Sequence, residues 1–138
     1  HIALVGVDVS SAFLQGLRLR DARLARANFS AADVRDSNIR DADLTWANLH
    51  FANFRNSTLE NVDLSNADLS DADLVGADLR GCRLDSANLE EADLRGANIT
   101  GIQWQHIGNV RGANVAGIKN APPGFVNWAL AQGAVEKP

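Results

Sequence analysis

From Leu4 to Ile99 every fifth residue is large and apolar, through Leu4, Val9, Leu14 and Leu19 to Leu89, Leu94 and Ile99, twenty positions without an exception. Two residues before each of these the slot is small, mostly Ala, with Ser37, Ser57 and Cys82 as near substitutes and only Ile2, Val7, Leu17 and Val62 bulkier. The other three slots are mainly polar. An α-helix cannot use this pattern, because five steps of about 100° carry the next apolar residue some 140° around the cylinder. A straight strand fails too, since an odd step sends successive apolar side chains to opposite faces. The pattern closes only if the backbone turns by a fixed amount every five residues. The bulky and small slots then point inward, two apart as on a strand, and a corner falls between them and the next pair. Such a chain is a solenoid whose coils stack through backbone hydrogen bonds.

The stretch ADLSDADLVGADLR, Ala67 to Arg80, shows the unit in its plainest form. Tandem A-[DN]-[LF]-x-x of this kind resembles the pentapeptide-repeat family, and the resemblance covers residues 2–100 almost without interruption. It implies an all-β fold, a right-handed quadrilateral parallel β-helix with twenty residues per coil. Five coils at a strand spacing of about 4.8 Å stand roughly 24 Å tall. Pro is absent before Pro122, as hydrogen-bonded coils require. In this register Leu69→Asp stops folding, whereas Ser70→Asp, in an outer slot, is nearly silent.

After Ile99 the rhythm slips. Trp104 is next in line for the bulky slot, but Asn109 breaks the count, and Val110 and Val115 resume it one residue out of phase. The reading is a one-residue bulge or short loop between Thr100 and Ile107. Asn120-Ala121-Pro122-Pro123-Gly124 is a turn cluster. Phe125 to Gln132 has helical spacing, with Phe125, Trp128 and Ala129 on one side and Gly133 as C-cap. The expected organisation is a β-helix over 1–119, regular over 2–101 with the bulge and a partial coil over 102–119. A turn, a short capping α-helix and a tail follow over 120–138. Phe125 and Trp128 are the candidate cap contacts, because the last coil of a solenoid needs cover; a homodimer contact is their rival role. The first coil has no such cover, which points to missing residues or a partner there.

Composition adds mainly exclusions. No apolar run approaches the about 20 residues of a membrane span, so no membrane role is expected. A net charge of −4 argues against a nucleic-acid partner, which requires a basic face. The chain opens at His1-Ile2 without Met or signal-peptide pattern; a trimmed N-terminus and a cytoplasmic protein are the expectation. The single Cys82 rules out an internal disulfide framework. His1, His50 and His106 show no ligand spacing, and no phosphate loop, nucleophile elbow or Cys-His pair occurs. No cofactor, no metal and no catalysis are expected. The repeated Asp and Asn before each bulky residue read as a slot that faces solvent in every rung. The sequons at Asn28, Asn56 and Asn98 are by-products of that slot.

The outer columns carry what remains. One face holds Asp8, Asp68, Asp71, Glu90 and Glu91, relieved by His50, while the next two interleave Arg35, Arg55 and Arg95, then Arg20, Arg40 and Arg80, with acid. Trp46 and Phe51 occupy successive outward slots, an aromatic pair fit for a contact site. The candidate partner surface is therefore Trp46, Phe51, Asp68, Asp71, Glu90 and Glu91. The functional reading is a non-catalytic protein-interaction scaffold. The family resemblance implies a sharper alternative, a DNA-mimicking binder of DNA gyrase or another type II topoisomerase that protects it from quinolones. There the acidic face would stand for phosphates.

Overall fold

Four steps of five residues bring the chain back over itself. In the computed structural model, which describes residues His1–Pro138, parallel bridges join each rung to the one twenty residues on: Ala3 to Arg23, Asp8 to Asn28, Phe13 to Asp33, Arg18 to Asn38, and so on to Arg83 with Gln103. A five-residue step with a twenty-residue return gives four sides, and the molecule is a right-handed quadrilateral β-helix. Coils 1 to 5 are residues 2–21, 22–41, 42–61, 62–81 and 82–101. The four faces are named by their inner residues in coil 1: Leu4, Val9, Leu14 and Leu19.

Each rung is held by bonds in both directions. Leu24 N–H donates to the Asp43 carbonyl above (2.8 Å), and Asp43 N–H donates back to Ala22 (3.0 Å). At the corner Ala27 N–H closes onto the Leu24 carbonyl at 3.0 Å. The residue two past each bulky position is left-handed at every corner from Gly6 (φ 70) to Gly101 (φ 67). A hydrogen-bonded turn with positive φ at its third residue is type II. This slot is filled by Gly, Asn and Asp at most corners, the residues that reach that conformation at least cost.

Inside, the bulky columns of coils 2 to 5 are dry, with Leu24, Leu44, Leu49, Leu59 and Leu69 fully buried. Burying each side chain of this size is worth about 1.5–3 kcal/mol. The two interior serines satisfy themselves along their column. Ser57 Oγ donates to Val34 O (2.7 Å) and accepts Ser37 N–H (3.1 Å), and Ser37 Oγ accepts Leu17 N–H (2.9 Å). Cys82 Sγ donates to Leu59 O at 3.0 Å. The first coil departs from this: Leu4, with no coil beneath it, is 37% exposed.

At the other end the bridge offset changes from twenty to twenty-one between Arg83–Gln103 and Asn88–Asn109. The extra residue thus lies between Gln103 and Asn109, a stretch that overlaps the Thr100–Ile107 segment the count indicates. Gly108 and Asn109 N–H both reach the Ala87 carbonyl (3.0 and 3.2 Å). A side chain at Gly108 would press on Ala87 O and the Ser86 carbonyl group. Trp104 does not take the bulky slot; it is half-buried, and Ile107 is buried in the interior beside Ile102. Helix α1, Phe125–Ala131, is one residue shorter than its spacing predicts, with Gln132 as C-cap and Gly133 left-handed (φ 98) after it. Phe125 is buried against the end of the shaft, and Trp128 packs on Trp104 with ring centroids 5.3 Å apart. The tail then adds a rung, Val115 N–H to Val135 O and Val135 N–H to Ala113 O, both 2.8 Å. No helix is long and apolar enough to cross a membrane.

Candidate functional site

Trp46 and Phe51 sit at the two corners that bound the second face at the level of coil 3. Both are left-handed, at φ 61 and 59, and remain 57% and 60% exposed. Their neighbours touch them only from outside: the Arg26 guanidinium lies 5.4 Å from the Trp46 ring centre, and the His50 ring 4.3 Å from that of Phe51. Neither contributes to the core. A bulky residue in this region is a backbone outlier, strained by about 1–2 kcal/mol.

The four acidic candidates lie on the same face or its edge. The twenty-residue return puts Asp68 above Asn48, Asp71 above Phe51, Glu90 above Ser70 and Glu91 above Asp71. All six candidate residues thus fall on one surface spanning coils 3 to 5. Those three coils hold eleven acidic residues against four arginines, whereas coils 1 and 2 hold five against six. The carboxylates are not equally free. Asp68 Oδ1 accepts both Ser70 N–H (2.9 Å) and Ser70 Oγ–H (2.6 Å). Glu90 is paired with Arg111 at 3.0 Å, Asp71 stands 3.9 Å from His50 Nδ1, and Glu91 folds over Gly112, where a Cβ would collide with it.

The repeated Asp and Asn do more than face solvent, which corrects the sequence reading. Wherever Asp or Asn occupies that slot its Oδ1 accepts the N–H two residues on: Ser30 from Asn28, Ser65 from Asp63, Thr100 from Asn98. Most are half-buried as a result. The slot is an Asx turn that binds an amide the ladder leaves unpaired. On the third and fourth faces the carboxylates also hold arginines, Asp33 to Arg35 at 2.8 Å, Asp78 to Arg80 at 2.7 Å and Asp93 to Arg95 at 2.6 Å. These bonds hold the three carboxyls below the usual range. Glu60 lies between Arg40 (3.3 Å) and Arg80 (3.4 Å). The arginine columns are thus ladders of exposed ion pairs, each worth little.

Ser70 invites a check for nucleophilic chemistry, since His50 Nδ1 is 2.8 Å from its Oγ. The polarity is wrong for activation. The Ser70 proton is committed to Asp68, so Nδ1–H donates toward Ser70, and the imidazole is not placed to take that proton. No cluster of three His, Cys, Asp or Glu could hold a metal ion. Cys82 is buried and its thiol is pushed up to about 12 by that burial, which makes it inert. The candidate cap residues Phe125 and Trp128 are remote from the aromatic corners, at the far end of the shaft. One exposed aromatic escapes sequence reasoning: Phe13, 93% exposed, in the slot that Asp or Asn holds in most rungs. Its departure from the slot rule was the available signal.

Comparison with known proteins agrees with this architecture. A pentapeptide repeat protein, Rfr23, from the cyanobacterium Cyanothece 51142 is 27% identical with a TM-score of 0.52, over 85% of this chain and 79% of that one. A pentapeptide repeat protein from Nostoc PCC 7120 is 29% identical over 99% of this chain and 98% of its own, with a TM-score of 0.45. QnrB1, a plasmid-mediated fluoroquinolone resistance protein, is 16% identical with a TM-score of 0.34, over 98% of this chain and 87% of its own. No curated protein matches the chain. The model of the family of pentapeptide repeats matches residues 4–41, 42–81 and 63–101 in eight copies. With a repeat, a four-sided return and a family match that all span the same residues, this chain belongs to the pentapeptide-repeat family.

Proposed function

We propose that the chain is a non-catalytic scaffold that binds a partner protein through its second face, with Trp46 and Phe51 as anchors and Asp68, Asp71, Glu90 and Glu91 beside them. The observation that carries this is the strained, exposed aromatic pair. Two large rings are held in a conformation that disfavours them, on adjacent corners of one face, where they add nothing to the interior. Exposed aromatics of this kind are the usual anchors of protein contacts. The acidic excess of coils 3 to 5 favours a partner surface that presents basic groups there. A topoisomerase partner would need a row of free carboxylates in place of phosphates. On this face Glu90 is paired and Asp68 is occupied by Ser70, so the general reading has the better support.

Affinity capture with the wild-type chain and with a Trp46→Asn/Phe51→Asn variant tests the proposal. A partner retained by the wild type and by Arg80→Ala on the fourth face, but lost by the double variant, is the expected result. Equal retention by all three removes the face from consideration.

A further inference from the structure

We propose that the second face takes a proline-rich segment of its partner in the polyproline II conformation. The segment lies across the rod at coil 3, from the Trp46 corner to the Phe51 corner, with a basic residue at its Phe51 end. This rests on the second face being a protein contact face and adds the chemistry of what it contacts. Two other ways of holding a peptide are closed here. An added strand needs an open edge, and the rung between the corners has none. Asn48 N–H donates to Ala27 O (2.9 Å) and Leu49 N–H to Asp68 O (2.7 Å), while the Ala47 and Asn48 carbonyls accept Asp68 N–H (3.0 Å) and Phe29 N–H (2.8 Å). A docked helix needs an apolar groove, and no cavity of the molecule opens between Trp46 and Phe51.

A polyproline II helix asks for exposed aromatic rings to pack its prolines and for isolated donors to its carbonyls, which no bond within the helix uses. The rung supplies both. Its strand, residues 47–50, takes three steps of about 3.3 Å and so sets the corners about 10 Å apart. A polyproline II turn of three residues at about 3.1 Å each advances about 9 Å. Prolines three apart therefore meet the two rings in step. Between the rings Asn48 is exposed, and its Oδ1 already accepts His50 N–H (3.1 Å), which leaves its amino group as a donor. The exposed Trp46 indole N–H is a second. His50, tied to Ser70 O at 3.0 Å, braces the Phe51 ring. Charge orients the segment. Asp71, above Phe51, pairs only with His50, at 3.9 Å, whereas Arg26 stacks on Trp46 and pairs with no carboxylate. A basic residue is thus favoured past Phe51 and disfavoured past Trp46.

Fluorescence polarisation with three labelled synthetic peptides tests this. One carries Pro-Pro-Leu repeats followed by a pair of arginines, the second has glutamates in place of the arginines, and the third has glycine in place of every proline. The arginine peptide is expected to bind the wild type about tenfold or more tighter than either of the others, and Trp46→Asn/Phe51→Asn to lose that binding. Asp71→Asn, which suits the same left-handed corner, is expected to erase most of the preference for arginine over glutamate. A wild type that binds no peptide at about 1 mM, or binds the proline and glycine peptides equally, overturns the proposal. So does a double variant that keeps the arginine peptide, and an Asp71→Asn variant with the full preference overturns the assigned orientation. If affinity capture still yields a partner that the double variant loses, the contact face stands and only its polyproline II occupant falls.

Discussion

Phe51→Asn should make the protein more stable while removing an anchor of its contact face. In an L-residue the left-handed conformation costs about 1–2 kcal/mol, less for Asn, whose side chain bonds locally. Asn56, Asn61 and Asn66 occupy the same corner slot, at φ 56, 58 and 62. Against that relief stands the loss of the ring. Phe51 is 60% exposed and meets His50 at 4.3 Å between centroids, a contact worth about 0.5–1 kcal/mol. The balance is a gain of about 0.5–1 kcal/mol, or a rise of some 2–4 °C in Tm for a chain of this size. Urea titration and calorimetry measure it, with Asn66→Phe as the reverse substitution and the opposite shift. A loss above about 1 kcal/mol on Phe51→Asn would mean that the ring supports the fold, and the case for an anchor kept at the expense of stability would fall.

Leu69→Ala, at a position with no exposure, should cost about 2–5 kcal/mol in urea denaturation, and Leu69→Asp should prevent folding. Ser70→Asp is not the silent change its outer slot implies: it breaks the bonds to Asp68 and His50 and sets a carboxylate beside Asp68 and Asp71, so a loss of about 1 kcal/mol that shrinks in high salt is expected. Asp33, Asp78 and Asp93 are depressed by their arginines. Their stabilisation is therefore complete above the unfolded carboxylate value near about 3.9 and lost as pH falls through the folded values; Tm should be flat above about pH 5 and drop below pH 4, less steeply in Arg80→Ala. The Cys82 thiol should resist a disulfide reagent at pH 8 until the chain unfolds, and prompt labelling of native protein would contradict its burial.

The five-residue beat made the inward slots legible because every bulky residue obeys one rule over twenty turns. The corner rule was equally periodic but is written in residues that look like ordinary surface composition. Gly76, Gly81, Asn61 and Asp71 share a slot, yet only their common positive φ reveals that the slot is conformational. The turn-capping role of Asp63 or Asn28 was hidden for the same reason: a polar residue on an outer slot suits water as well as it suits a neighbouring amide. Trp104 was misplaced because periodicity assigns slots by counting, and one inserted residue hands the interior to Ile107. The depth of Leu4 could not follow from the beat at all, since burial depends on a coil beneath.

A fold built this regularly separates what holds it together from what it offers outward. The bulky and small slots, the Asx slot and the left-handed corner account for the ladder, the core and the turns, and they leave function only the residues that break a slot's rule. Breaks that cost stability without repair are the informative ones. Trp46 and Phe51, the aromatic residues among the left-handed corners, accept backbone strain and stay exposed. Arg35 in its outer slot breaks nothing and is simply paired. The two aromatic corners map to one place, the borders of the second face at coil 3, and the aromatic contact face is what that place can build. Removing Trp46 and Phe51 should therefore abolish partner capture and leave the ladder and the core intact. If the double variant lost its fold, the rings would belong to the scaffold and not to a contact face.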